Sequence, residues 1–314
     1  MKRRDHAVNA PVVIFAYNRM DKLRACMASL KSSAGHEGSE VIVFSDGAKG
    51  DDDREDVERV RDYLDNLGGR HAFKSLTVIK RPENMGLADN IISGVTEVIE
   101  RYGRVIVLED DLIVTEDFLS FMNDALDFYE DESDIWSVTG FGIPIRGIEG
   151  YDHDIYYSYR ASSYGWGTWK DRWQSVDWDM KRYEDVIADK RLRRRFERGG
   201  KDLTRILKDQ KMGLIDSWAI RWCLTQSLQN RYTVYPVRSF VVNTGRDGSG
   251  THEIRTDNDF GNLHTAGERV RLEHLSPDKR ICREFYGYYS SIRKRLSRNM
   301  NLTGIRRQIK RLLK

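Results

Sequence analysis

Four apolar residues run straight into three carboxylates at Val105-Ile106-Val107-Leu108-Glu109-Asp110-Asp111. This junction constrains the chain more than any other segment. A short run containing β-branched residues reads as a buried strand. Charge at its end then sits on the carboxyl edge of a sheet, where open α/β sheets hold their ligands. Three adjacent carboxylates repel, and each resists ionising without a counter-charge. A divalent cation relieves that repulsion. Hard oxygens suit Mg2+ or Mn2+, which often bridge a carboxylate to a phosphate instead of filling an all-protein cage. The alternative is a solvated acidic turn.

The upstream sequence repeats the pattern of apolar run and polar end. Residues 11–17 lead into Asn18-Arg19, residues 41–44 into Ser45-Asp46-Gly47, and residues 76–79 into the turn Asn84-Met85-Gly86-Leu87. Helical spacing lies between them. Leu23, Met27 and Leu30 share one face, with Asp21 as the expected cap; Val57, Val60 and Leu64 share another; residues 88–102 form a third helix. This alternation predicts an α/β fold with a mostly parallel central sheet flanked by helices. Right-handed crossovers bring Arg19, Asp46, Asn84 and Asp111 to one edge. A cation, a lone carboxylate and an acidic cluster suit a nucleotide diphosphate. No G-x-G-x-x-G follows the first run and no G-x-x-x-x-G-K-[ST] occurs, which weighs against a dinucleotide-binding Rossmann domain and a P-loop NTPase.

These landmarks, together with Asp117-Phe118 downstream of the acidic triplet, resemble those of GT-A-fold (nucleotide-diphospho-sugar transferase) glycosyltransferases of the family 2-like kind, over residues 10–255. The triplet is similar in particular to that of the N-acetylglucosaminyltransferase I type. The resemblance implies that Asp111 ligates the metal and that Asp110 and Glu109 hold ribose and donor-sugar hydroxyls. It further implies that Asp46 contacts uracil, that Arg19 supports the nucleotide, and that Asn84 and Gly86 lie near it.

The second half is dense in aromatic residues from Tyr151 to Trp178. Such rings offer sugars a large, stiff contact surface; a Trp-rich core is the alternative for each. Glycine permits close backbone approach to a ligand. Ser163-Tyr164-Gly165-Trp166-Gly167 resembles the Gly-x-Gly-Trp stretch that borders the donor sugar in the related enzymes, which implies donor contacts at Gly165 and Trp166.

An inverting transfer needs one base to take the acceptor hydroxyl's proton. Asp171, Asp177, Asp179 and Asp216 are candidates. Asp216 is favoured because its apolar, aromatic sequence neighbours are expected to raise its basicity, and because the segment resembles the relatives' D-D-W motif. Ser217 replaces the second Asp and Ile215 the preceding Trp. Asp216 as the N-cap of the helix it precedes is the competing role, and the two can coexist. Further on, the polar stretch 243–252 holds three glycines, and its backbone amides can wrap a diphosphate that Arg246 neutralises. The family resemblance adds His252 as a metal or phosphate contact; a structural histidine is the alternative. The loop is expected to close over bound donor.

At 314 residues with 39% hydrophobic and 32% charged content, the chain suits one large soluble domain or two small ones. No apolar run is long enough to span a membrane, the N-terminus lacks a signal-peptide core, and three scattered cysteines fit a reducing cytoplasm. Residues 285–314 carry nine Lys or Arg and no Asp or Glu; subtracting these nine from the net +3 leaves −6 for the rest. Leu302, Ile305, Ile309 and Leu312 recur at near-helical spacing among basic residues, the pattern of a membrane-surface helix; a solvated or oligomer-packing tail is the alternative. Residues 181–211 mix both signs and read as solvated helix, with an anion cradle as the alternative.

The expected division is 8–140 for nucleotide-sugar binding, 141–265 for acceptor binding and catalysis, and 266–314 as a basic helical appendage. The expected activity is inverting, metal-dependent glycosyl transfer from a UDP-sugar, with N-acetylglucosamine or a related hexose implied by the resemblance. A glycan or lipid-linked glycan in bacterial surface polysaccharide synthesis is the expected acceptor, and the expected location is cytoplasmic, peripheral on the inner membrane face. A nucleotidyltransferase on a related fold is one alternative, but it usually carries a Gly-rich loop after the first strand. The other is a non-enzymatic nucleic-acid-binding protein using the basic tail.

Overall fold

The four apolar runs become four neighbouring parallel strands. The structure, a computed structural model, describes residues 9–69, 71–245 and 263–289. Its first half alternates β1 (Val12–Ala16), α1 (Met20–Lys31), β2 (Glu40–Ser45), α2 (Asp51–Asn66), β3 (Ser75–Lys80), α3 (Leu87–Tyr102) and β4 (Arg104–Glu109). β1 is buried along its whole length, as is β4 from Val105 to Leu108, so these strands read as continuous apolar runs. At the sheet edge, β3 is only half-buried. Arg19 is the N-cap residue of α1 without a side-chain cap bond, and Asp21 lies in the helix's first turn.

The second half adds β5 (Leu112–Val114), α4 (Phe118–Phe128), β6 (Ile135–Thr139), β7 (Ile155–Ser158), β8 (Trp166–Trp169), α5 (Lys170–Gln174), α6 (Tyr183–Ala188), α7 (Lys190–Phe196), α8 (Leu203–Lys211), α9 (Trp218–Gln229), β9 (Tyr232–Pro236) and β10 (Val241–Asn243). A further helix, α10, covers 279–289. Among the described residues the main sheet runs β3-β2-β1-β4-β8-β6-β9-β7, and β10 pairs with β5 in a small ribbon. β3, β2, β1 and β4 are parallel as expected. β8 enters antiparallel between β4 and β6, so the complete sheet is mixed, and it carries both halves of the chain.

One apolar layer, containing α1 and α4, covers one sheet face; the other contains α3, α9 and a tryptophan cluster. The charged stretch 181–211 folds as three short helices that bury Val186, Phe196, Leu203 and Leu207. The chain beyond 263 packs into the fold: His264 stacks on Phe240, Tyr129 donates to the Glu273 carbonyl, and Ile281 and Phe285 are buried against the Tyr156–Tyr235 region. The amphipathic stretch 302–313 lies outside the described residues.

Candidate active site

β1 and β4 are parallel neighbours with Phe15 opposite Glu109, so the residues just beyond both strands meet. There the Arg19 guanidinium hydrogen-bonds Asp110 with one arm, and its other arm lies 2.9 Å from Asp111. Both carboxylates are buried, Asp110 at 3% exposure and Asp111 at 8%. Burial pushes the Asp110 carboxyl up to about 6, with Arg19 pulling against it and Asp111 adding to it. Burial also opposes the charge on Arg19, but the two aspartates outweigh it and hold its pKa above the usual value. The counter-charge expected from a metal is thus supplied, at least in part, by an arginine of the chain.

Among the described residues, no group of three His, Cys, Asp or Glu is arranged to hold an ion alone. The donor set nevertheless fits Mg2+ or Mn2+ in the form these ions take with nucleotides, one or two carboxylates completed by phosphate oxygens and water. Asp111 presents its carboxylate at the strand end. Its carbonyl accepts from both the backbone N–H (2.8 Å) and the hydroxyl (2.9 Å) of Thr244, whose own carbonyl accepts from Lys22 at 2.6 Å. A Cβ at Gly245 would lie 2.2 Å from Asp111 Oδ2, so any side chain there would have to displace that carboxylate. The glycine-rich stretch therefore begins against Asp111. Arg246 and His252 lie outside the described residues.

The raised Asp110 pKa has a consequence for stability. A carboxyl whose folded pKa exceeds its unfolded value contributes most below pH ~4, and that contribution is lost as pH rises through ~6. Asp110→Asn should therefore raise the melting temperature of metal-free protein at pH 7.5, by about 3 °C, with no gain at pH 4. Thermal melts at both pH values test this; a lower melting temperature at pH 7.5 contradicts it.

Asp46 closes the next part of the edge. It is 5% exposed, and its Oδ1 accepts from Gly47 N and Met85 N, each at 2.9 Å. Asn84 donates to Asp46 Oδ2 at 3.2 Å and to the Gly47 carbonyl at 2.9 Å. Burial pushes the Asp46 pKa up, opposed by these backbone N–H groups. Asp46 and Asn84 thus bind each other and fix the turn that starts α3. Gly86, at φ +76°, is the α3 N-cap residue.

Across this edge stands Asp216. Ala88 N donates to its Oδ2 at 3.0 Å, while Arg221 lies 3.8 Å from its Oδ1. Asp216 therefore caps α3, from a distant part of the chain, whereas Ser217 caps the helix that follows it, α9. The expected enclosure by apolar groups is absent: the Asp216 side chain is 51% exposed. Apolar sequence neighbours mislead here because Trp218, Ile220 and Trp222 turn into the core while Asp216 faces out.

A cleft of about 740 Å3 joins these groups. Arg19, Asp46, Asn84, Gly86, Glu109, Asp110, Asp111 and Asp216 all line it. Asp171, Asp177 and Asp179 do not; they face Arg172, the backbone N–H of Arg182 and Lys181 respectively. Sequence reasoning missed Tyr17, Lys49, Asn90 and Ser163 on the cleft wall. Lys49 follows the Asp46-Gly47 strand end closely enough to have been noticed; Asn90 sits on a helix read only for its span.

Two expected donor contacts are corrected. Trp166 is 1% exposed and its ring stacks on Trp218 and Trp173 at 4.9 and 5.7 Å. Gly165 packs against Val241 and Phe118, where a Cβ would meet them at 2.7 and 3.1 Å. Both serve the core beneath the cleft, because β8 is an interior strand of the sheet. Trp166→Ala should cost about 3–5 kcal/mol of stability. The milder Trp166→Phe should fold and bind a nucleoside diphosphate no differently from wild type. Loss of that binding in a well-folded Phe variant would return the ring to the cleft.

The fold and cleft define an α/β protein with an acidic, arginine-paired strand edge. The model of the family described as glycosyl transferase family 2 matches residues 12–169, half of the chain, and the chain belongs to that family. Among solved structures, mannosyltransferase PcManGT from Pyrobaculum calidifontis, in complex with GDP-Man and Mn2+, is similar at 18% identity and TM-score 0.31, covering 44% of this chain and 36% of that one. TarS from S. aureus is similar at 13% identity and TM-score 0.42, covering 76% and 38%. The chain thus spans little more than a third of either protein's length. No curated protein matches it.

Proposed function

We propose that the chain transfers a sugar from a UDP-sugar to a glycan or lipid-linked glycan acceptor, with inversion at the anomeric carbon. The observation that carries this reading is the single cleft in which Arg19, Asp46, Asn84 and the Glu109-Asp110-Asp111 edge face Asp216. Family membership supports the same chemistry.

In this reading, Asp46, Asn84 and Gly86 border the base and Asp110 and Glu109 hold hydroxyls of the ribose and sugar. Arg19, already fixed by Asp110 and Asp111, adds its positive charge beside the diphosphate, and Arg246 adds a second. Asp111, with His252, would hold Mn2+ or Mg2+, which when bound stabilises the departing diphosphate. Asp216 takes the acceptor proton. Its Oδ2 is tied to Ala88 N, which fixes the carboxylate's direction, and its exposure leaves it open to an incoming hydroxyl. N-acetylglucosamine or a related hexose is the assigned sugar and bacterial surface polysaccharide the assigned product class. The assigned place of action is the cytoplasm at the inner membrane face, reached by the basic tail. No described helix is long and apolar enough to cross a membrane.

The test is stereochemical. With UDP-sugars and Mn2+, the slow hydrolysis that accompanies transfer is followed by proton NMR. An α-linked donor should first yield the β-anomer. Initial release of the α-anomer, or no UDP release from any sugar, overturns the reading.

A further inference from the structure

Among the described residues, the exposed large apolar side chains are Met85 at 37%, Met212 at 62% and Leu214 at 68%. All three belong to the two segments that meet at Asp216. Met85 lies on the turn beside Gly86, and a Cβ at Gly86 would sit 3.3 Å from Asp216 Oδ2. Met212 and Leu214 lie on the connection from α8 to Asp216, and Gly213, Leu214 and Ile215 line the cleft wall. Backbone bonds pin this connection: Met212 N donates to Lys208 O at 3.0 Å, Gly213 N to Gln210 O at 3.1 Å, and Leu214 N to Asp209 O at 2.9 Å. The apolar side chains are therefore presented on a fixed support.

Leu214 lines the cleft, and Met85 and Met212 flank it one position from the cleft-lining Gly86 and Gly213; exposed apolar groups beside a cleft are candidates for a binding surface. Their kind narrows the ligand. Sugar rings are best met by flat aromatic faces, whereas methionine and leucine are aliphatic, and methionine adapts to flexible chains. Lys208 and Lys211, both exposed, end the helix just before Met212 and put positive charge beside the apolar group. An acceptor whose hydroxyl reaches Asp216 leads its far end out past residues 212–214.

We propose that Met85, Met212 and Leu214 form a subsite for the aliphatic chain of a lipid-linked acceptor, with the exposed last-turn lysines Lys208 and Lys211, the latter resting over the Tyr183 ring, supplying positive charge near its phosphate linkage. This rests on the glycosyltransferase reading and goes further by assigning the acceptor's apolar part to named residues.

The test uses the full chain with UDP and Mn2+ present, so that the donor site is filled. Farnesyl diphosphate is titrated by calorimetry, with inorganic diphosphate as the headgroup control, against wild type and the double variant Met212→Ser/Leu214→Ser. UDP affinity and melting temperature of the variant are measured alongside. Farnesyl diphosphate should bind wild type well above inorganic diphosphate and should bind the folded double variant about ten- to a hundredfold more weakly. Equal affinity for both proteins, or no preference over inorganic diphosphate, overturns the proposal. So does loss of binding to phosphatidylglycerol vesicles in the variant when the soluble probe binds neither protein, which makes the patch a membrane-docking surface. Absence of UDP binding in wild type is a different failure, that of the glycosyltransferase reading itself.

Discussion

Asp216→Asn should lower kcat for sugar transfer by about 10²–10⁴-fold and leave UDP affinity and folding close to wild type. The substitution separates the residue's two roles. Asparagine keeps an oxygen that can accept from Ala88 N, so the cap on α3 survives, but it cannot take a proton at neutral pH. Asp216→Ala removes both roles and should also lose about 1 kcal/mol of stability through the lost cap. Steady-state kinetics with thermal melts distinguish the variants. An Asn variant with near wild-type kcat would move the base elsewhere, although Asp171, Asp177 and Asp179 do not line the cleft.

The second large effect is expected at Asp111. Asp111→Ala should lower kcat/KM by about a thousandfold or more, because in the proposed mechanism the lost group would hold the metal charge that stabilises the leaving diphosphate. The fold should survive. Removing a buried carboxylate relieves repulsion with Asp110, and Arg19 retains its bond to Asp110. Transfer rates measured over a range of Mn2+ concentrations check this. Rates that rise with Mn2+ as in wild type would show that Asp111 is not the ligand.

The first half of the protein was legible because its physics is local. Apolar runs closed by polar residues, alternating with helical spacing, predict β1 to β4, their parallel order and the edge where Arg19, Asp46 and Asp111 gather. The second half was less legible. Trp166-Gly167-Thr168-Trp169 carries no alternation that marks it as a strand, yet β8 sits between β4 and β6 with both tryptophans buried. Its glycine-flanked tryptophan and its resemblance to a Gly-x-Gly-Trp stretch suggested donor contact, a reading that tertiary position reverses. β5, three residues long, is too short to show a period, whereas the apolar run 239–242 is legible as a strand and overlaps β10. The Arg19 pairing was hidden for a different reason. It depends on the register of β1 against β4, residues separated by some ninety positions, and only the folded sheet sets that register.

Metal-dependent nucleotide binding at the acidic edge is the central claim, and calorimetric titration of UDP with and without Mn2+, on wild type and Asp111→Ala, tests it most directly. UDP should bind wild type tightly only with Mn2+, and Asp111→Ala should abolish that dependence while remaining folded. Equal UDP binding by both proteins, or none by wild type with Mn2+ present, contradicts the claim.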